Sequence, residues 1–336
     1  MVVSLAETKH NAQTDMDLTV IDEFRKESAI LDSLVFDDAV SPAAGGGTLV
    51  YGYRRLATQA SAAFRALGSE YVPGEVTTTH HTVELKPLGG SFQVDRVTAR
   101  VGAAASGAVA LNLAQKIKAT RTKFQDEVIN GDTAVDAEGF DGLDKALTGS
   151  STEFHPTVVS DWSDLDTDTS TSHKALDALD DFLSLLDGEP TVVVGNKQSL
   201  ARVRAIVRRT GQYVKEPITD LLGPGGRPIV RERYGNVLLV DAGDKAGSSA
   251  QIIPTETRTV GGAPVNGLTD LYAYRVGLDG FHAASMVGGQ LVATFLPDFS
   301  SPGAVKTGEV EMGPVAIALR ATKAAAVFRN IKAVAG

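Results

Sequence analysis

Residues Thr48 to Val101 read as strand for much of their length, yet they carry too little apolar surface to build a core. "TLVYGYRRL" is rich in strand formers. "HTVELK" alternates strictly, with Val83 and Leu85 on one face and Thr82, Glu84 and Lys86 on the other. Pro73-Gly74 fits the central pair of a type II turn, and "KPLGGSF" reads as a second reversal. A long two-stranded ribbon with nothing packed on it is not stable in water. A fold containing this stretch must therefore give the ribbon a neighbour, in the same chain or in another copy.

The segment before it makes the same demand. Residues 1–40 read as an arm, polar at first, then with Ile21, Phe24, Ile30, Leu31 and Leu34 near helical spacing, and Asp17 or Thr19 placed to cap the helix start. "SPAAGGGT" then breaks the chain. After the ribbon, Ala108 to Ile129 reads as the longest helix. Leu111, Ala114, Ile117, Phe124 and Val128 recur at three- and four-residue steps, interrupted by Arg121. Asn130-Gly131 reads as its stop, both residues tolerating a left-handed C-terminal cap.

From about residue 135 helices and strands mix. "TSHKALDALDDFLSLLDGE" places Leu176, Leu179, Phe182, Leu183 and Leu186 inward. "PTVVVGN" is apolar throughout, hence a buried strand. Asn196 is placed to cap "KQSLARVRAIVRRTG", which stops at Gly211. "RPIVRERYGNVLLVDAG" reads as a hairpin around Tyr234-Gly235-Asn236, and the remainder is again strand-like. The fold class is α+β.

Chemical motifs are sparse. The chain has no cysteine, which removes disulfides, thiolate metal sites and cysteine nucleophiles. Asp164, Asp166 and Asp168 resemble the start of a calcium loop, but Thr169 stands where glycine belongs and Ala175 where glutamate belongs. His80 and Glu84 share a strand face without a third ligand, so a solvated pair is the better reading. No metalloprotease, nucleophile-elbow or phosphate-loop motif is present. "VVVGN" and "VLLVDAGD" could end strands of a nucleotide fold, but a hairpin precedes the second and no Gly-x-Gly-x-x-Gly follows either. Arg202, Arg204, Arg208 and Arg209 make a basic helix, read as surface or subunit ion pairing, with phosphate contact as the alternative. The net charge of −9 argues against a dedicated nucleic-acid reader. No run reaches the roughly 18 apolar residues of a membrane helix, and the first residues lack the pattern of a signal peptide. An intracellular product is expected, with no metal, no cofactor and no catalytic centre.

The acids in "KFQDEVINGDT" are the remaining candidates for chemistry. Lys116, Lys118, Arg121 and Lys123 come early in the long helix and Asp126 and Glu127 late, against the preference of the helix dipole. Charges placed that way answer partners, and the ribbon's Arg65, Glu70, Glu75 and Lys86 are the candidates. Asp126 and Glu127 are expected to face a neighbouring subunit.

The order of elements resembles the major capsid proteins of tailed phages, the Hong Kong 97-like fold. "FQDEVINGD" with "GFDGLDKALTG" is similar to that family's spine-helix exit and its following Gly-Leu turn. "PTVVVGNKQSLARVRAIVRRTGQYV" is similar to its axial-domain strand, helix and exit, here Gly211, Gln212, Tyr213 and Val214. "GPVAIALRATKAAAVFRNIKAV" is similar to its closing strands. The resemblance runs from about Asp17 to the end. It implies an N-terminal arm at 1–40, the start of the P-domain at 41–56, an E-loop hairpin at 57–92, the P-domain with its spine helix at 93–134, an A-domain at 135–305 and closing P-domain strands at 306–336. The implied function is self-assembly into pentamers and hexamers of an icosahedral head around double-stranded DNA held by non-specific contacts. The implied partners are further copies, a separate scaffolding protein, a portal protein and, in some heads, decoration proteins, without a membrane. The implied location is the virion, after assembly in the host bacterial cytoplasm. The family's crosslink would join Lys86 to Asn266 or Asn330 of a neighbour, but a solvated lysine is the favoured reading. The alternatives are an encapsulin-type shell, from which a long arm at 1–40 argues away, and a soluble α/β enzyme using its acid pairs or His80 and His81.

Overall fold

The computed structural model describes residues 29–334 apart from 39, 41–46, 98–102, 166–168, 210–212, 223–227 and 287–290. The expectations for Asp17, Thr19, Ile21, Phe24, the Ser41–Thr48 break (all but its last two residues), Asp166, Asp168 and the Gly211-Gln212 exit lie outside the described residues.

The longest helix, α2, spans Ala103–Asn130, with the shorter α1 at Ala29–Ser33 before it. At 1.5 Å per residue its 28 residues run about 42 Å. The expected apolar stripe holds in its second half, where Phe124, Val128 and Ile129 are fully buried, whereas Ala114 and Arg121 are exposed. The arm docks on that half through α1. Ile30 is fully buried and its amide donates to Gln125 Oε1 at 2.9 Å.

Two sheets carry the body. In the first, β1 (Phe36–Asp37), β13 (Phe281–Ser285), β15 (Val305–Leu319) and β14 (Val292–Phe295) lie in that order, and β4 (Lys86–Asp95) pairs with the other edge of β15. Helix α2 packs on β4 and β15. The second sheet has the order β5 (Glu153–Phe154), β16 (Ala325–Lys332), β12 (Ala263–Tyr274), β7 (Val192–Gly195), β10 (Val237–Asp241), β9 (Pro228–Tyr234) and β8 (Tyr213–Leu222). β11 (Glu256–Val260) and β6 (Ser160–Asp161) are added at its sides. Strands β13 and β14 thus join β15 in the first sheet, while β16 belongs to the second.

The continuous apolar run of β7 is explained by two cores. Val192 and Val194 enter the core shared with α2 and the first sheet. Val193 enters a second core with Leu179 and Phe182 of α4 (Thr169–Ser184) and with Val203, Ile206 and Val207 of α5 (Lys197–Arg209). A strand buried on both faces needs apolar residues at every position. Asn196 caps α5 as its sequence predicts, accepting the Ser199 amide at 2.8 Å. The β9–β10 hairpin turns at Gly235-Asn236, with Gly235 at φ 56°.

Three local expectations are corrected. The ribbon's turn is at Leu67-Gly68, where Ser69 N donates to Ala66 O at 3.2 Å and Gly68 has φ 88°, the geometry of a type II turn; no turn forms at Pro73-Gly74. "KPLGGSF" is not a reversal but part of the straight strand β4, with Gly89 opposite Glu311 and Gly90 opposite Val310 of β15. Neither Asn130 nor Gly131 takes a left-handed conformation. Gly131 is required by packing instead. A Cβ there would strike the Phe140 carbonyl oxygen and lie 2.5 Å from the Glu127 carbonyl oxygen.

Candidate assembly surface

The ribbon consists of β2 (Val50–Leu56) and β3 (Thr78–Glu84), a two-stranded sheet separate from both body sheets. Beyond it, residues 57–77 form no regular structure and are exposed throughout. Phe64 and Leu67 are 106% and 105% exposed and Val72 94%, so this segment offers apolar side chains that the subunit leaves uncovered. Large apolar groups concentrated on a protruding loop mark an interaction surface. The sequence shows the strands but not this tip, because its apolar residues follow no period.

The root is held by one strand face. Tyr51, Tyr53 and Arg55 alternate along β2 and turn to the end of β15. Tyr53 Oη donates to Leu319 O at 3.1 Å, Arg55 Nε to Arg320 O at 3.0 Å, and Arg55 Nη2 also reaches Leu319 O. His81 stacks on Tyr53 with centroids 5.6 Å apart. The spacing Tyr-x-Tyr-x-Arg is the signal that sequence reading passed over.

The predicted contact residues divide into two groups. Arg65 stays on the tip, donating to Ser69 O at 3.1 Å and lying 5.3 Å from the Tyr71 ring centroid. Glu70 and Glu75 are exposed nearby, and Arg121 and Arg208 are exposed on their helices. Among the described residues the others, apart from Lys116, have polar partners within the subunit. Lys86, the first residue of β4, pairs with Glu84 at 3.2 Å, and Lys116 lies across the backbone of Gly90. Glu127 is buried against Lys123. Asp126 accepts from Asn130 at 2.7 Å and lies 3.4 Å from Lys245. Arg204 Nε donates to Glu232 at 2.5 Å, and Arg202 Nε to Ala333 O at 2.8 Å.

Below the ribbon root the spine helix ends in a tight joint. Gly142 N donates to Gly131 O at 2.8 Å, which starts α3 (Leu143–Leu147) directly beside the end of α2. Lys145 Nζ bridges Asp132 at 2.7 Å and Asp141 at 2.8 Å. Hydrogen bonding from Lys145 holds Asp132 below the usual carboxylate range. Burial pushes Asp141 up, but Lys145 and the Thr133 donors outweigh it and leave its pKa low as well. With Lys145 bound between them, these acids serve as a structural clasp. Among the described residues no group of three or more His, Asp or Glu side chains is placed to hold a metal, and no helix is long and apolar enough to cross a membrane.

No protein-family model matches the chain, and no curated protein matches it. Solved structures do, over almost the whole length. The holo-SrpI encapsulin complex from Synechococcus elongatus PCC 7942 shares 14% identity at a TM-score of 0.58, covering 100% of this chain and 98% of its own. Mycobacterium phage Bobi shares 12% at 0.55, covering 97% and 98%. The capsid of a native GTA particle shares 12% at 0.54, covering 96% and 97%. At such low identity the likeness is one of fold, and it extends through helix α2, the ribbon and both sheets together. The chain has the Hong Kong 97-like fold of tailed-phage capsid proteins.

Proposed function

We propose that this chain is the major capsid protein of a tailed phage, assembling as pentamers and hexamers into an icosahedral shell around double-stranded DNA. The observation that carries the reading is the ribbon with its uncovered Phe64, Leu67 and Val72, fixed at the root and bare at the tip. In this reading residues 1–40 are the arm and α2 the spine. The E-loop, expected at 57–92, is the ribbon from Val50 to Glu84, because β4 from Lys86 onward pairs with β15 in the first sheet, and the tip is covered by a neighbouring copy. The exposed charges Arg65, Glu70, Glu75, Arg121 and Arg208 lie at copy–copy contacts. A separate scaffolding protein, a portal protein and decoration proteins are the further partners, and the product is the virion after assembly in the host bacterial cytoplasm. The contents of the shell test this. Nuclease-resistant double-stranded DNA recovered from particles purified from the native source supports the phage reading. The full-length match to an encapsulin favours a second reading, a protein-filled compartment, which a protein cargo without protected DNA would establish instead.

A further inference from the structure

Four polar groups from four parts of the chain meet in the body beneath the ribbon root. Tyr51 of β2 is 3% exposed and His282 of β13 is fully buried. Tyr51 Oη donates to Asp37 Oδ2 of β1 at 2.7 Å, lies 3.0 Å from His282 Nε2, and accepts from Arg320 Nη2 at 2.6 Å. A phenol has one proton and two lone pairs. The carboxylate takes that proton, so His282 must donate from Nε2, which leaves Nδ1 as the unprotonated nitrogen. Nδ1 makes no hydrogen bond of good geometry among the described residues, and neither does Arg320 Nε; the Gly277 carbonyl approaches the ring and accepts from it once the ring is protonated.

A buried imidazole nitrogen free to take a proton, in contact with the hydroxyl that a guanidinium holds, is a titratable joint. The groups facing it are Asp37 from β1, Tyr51 from β2, Asp279 and the Gly277 carbonyl from the turn before β13, and Arg320 from the end of β15. Asp279 is exposed and bound to Arg275 at 2.8 Å, so among the described residues Asp37 is the close counter-charge. Burial first, and then Arg320, hold the His282 imidazole below its ordinary value. The folded protein therefore binds this proton less readily than a free imidazole does. The neutral arrangement is favoured above about pH 6.5 and its contribution is lost as pH falls from there through the lowered folded value.

We propose that Tyr51, Asp37, His282 and Arg320 form an acid-released latch that sets the ribbon against the body. A proton from solvent on His282 Nδ1 places a second cation beside Arg320, Arg320 leaves Tyr51, and the root strand loosens. The geometry permits local release. Among the described residues β2 pairs only with β3, and the single residue Leu85 separates β3 from β4. The latch concerns one subunit and does not depend on the shell reading.

Because the chain lacks cysteine, one nitroxide label can be placed at Thr78→Cys on the exposed far end of β3, and another, in a separate sample, at Val135→Cys on the body. Electron paramagnetic resonance of the full chain is then followed from pH 8 to pH 5. The Thr78 label is expected to gain at least about two-fold in mobility, reversibly, with a midpoint below pH 6.5, while the Val135 label stays unchanged. His282→Gln keeps a donor toward Tyr51 and cannot titrate, so the transition disappears. Asp37→Asn keeps the hydrogen bond and removes the counter-charge, which lowers the midpoint. The latch is overturned by a flat wild-type profile, by a transition shared with Val135, or by an unchanged transition in His282→Gln. Should that variant not fold, an unmoved midpoint in Asp37→Asn overturns it.

Discussion

Asn330 Nδ2 donates to the carbonyl oxygen of His155 at 3.2 Å, and these are the two non-glycine residues with positive φ among the described ones, at 57° and 51°. Asn330 sits in a bulge of β16, where Arg329 and Asn330 together face Asp270 of β12. The bulge delivers the Arg329 guanidinium to Asp144, Glu153 and Asp270 and so ties α3 to β5 and β12 of the second sheet. Asn330 also donates to Pro156 O at 2.9 Å. With these internal partners and 5% exposure, Asn330 is not placed to meet Lys86 of another copy.

Replacing Asn330 by alanine removes two hydrogen bonds to carbonyls and leaves a Cβ residue in a left-handed conformation. The expected loss is about 2–4 kcal/mol. Asn330→Gly loses the same bonds but relaxes the backbone, and should be about 1 kcal/mol less damaging. Urea denaturation of the unassembled subunit measures both. Alanine as stable as glycine would contradict this account of the bulge.

The paired glycines of β4 separate two kinds of contact. A Cβ on Gly89 would lie 2.6 Å from the Val310 carbonyl oxygen, a backbone atom that cannot yield. One on Gly90 would meet Lys116 Cδ at 3.4 Å, the stem of a flexible side chain. Gly89→Ala is therefore expected to cost about 2 kcal/mol or more, and Gly90→Ala to stay within about 0.5 kcal/mol. Comparable urea midpoints for the two would refute this reading.

The same strand shows what sequence could convey. Determinants carried by near neighbours were legible: the Asn196 cap, the Val192–Gly195 run, the Val83/Leu85 alternation and the helix stop near residue 130. Gly89-Gly90 resembles a reversal because its cause, β15, lies more than two hundred residues away. Gly131 has the same history, since the Phe140 carbonyl fixes it rather than a left-handed cap. Asp126 and Glu127 were read by their order along α2, whereas Lys245 comes from a distant loop and Lys123 lies one turn back, so the partners found are within the subunit.

The Lys145 clasp predicts a pH signature. Asp132 and Asp141 have folded pKa values below their unfolded ones, so their contribution is present above the unfolded carboxylate range and is lost as pH falls from there through the lowered folded values. The Lys145 ammonium is shifted upward by both acids, so its share is lost only as pH rises past the ordinary lysine range. The stability gap between wild type and Lys145→Gln should be widest between about pH 5 and pH 10 and should close on either side. A gap that persists at pH 2 would show that the lysine acts by packing alone.

Leu56 and Thr78 face each other in the ribbon, so residues 57–77 can be replaced by Asn-Gly to close a two-residue hairpin. The subunit should keep its melting temperature within about 2 °C, because the removed side chains have little to lose. Assembly should fail. Phe64→Asp with Leu67→Asp should act in the same direction while leaving the chain length unchanged. Light scattering showing normal particles from both variants would remove the tip from the interface.

Electron microscopy of the purified full-length protein tests the central claim most directly. The account predicts closed shells built from five- and six-membered rings of one subunit, with residues 57–77 of each copy lying over the next. A monodisperse small oligomer with no rings or shells under any assembly condition would contradict it.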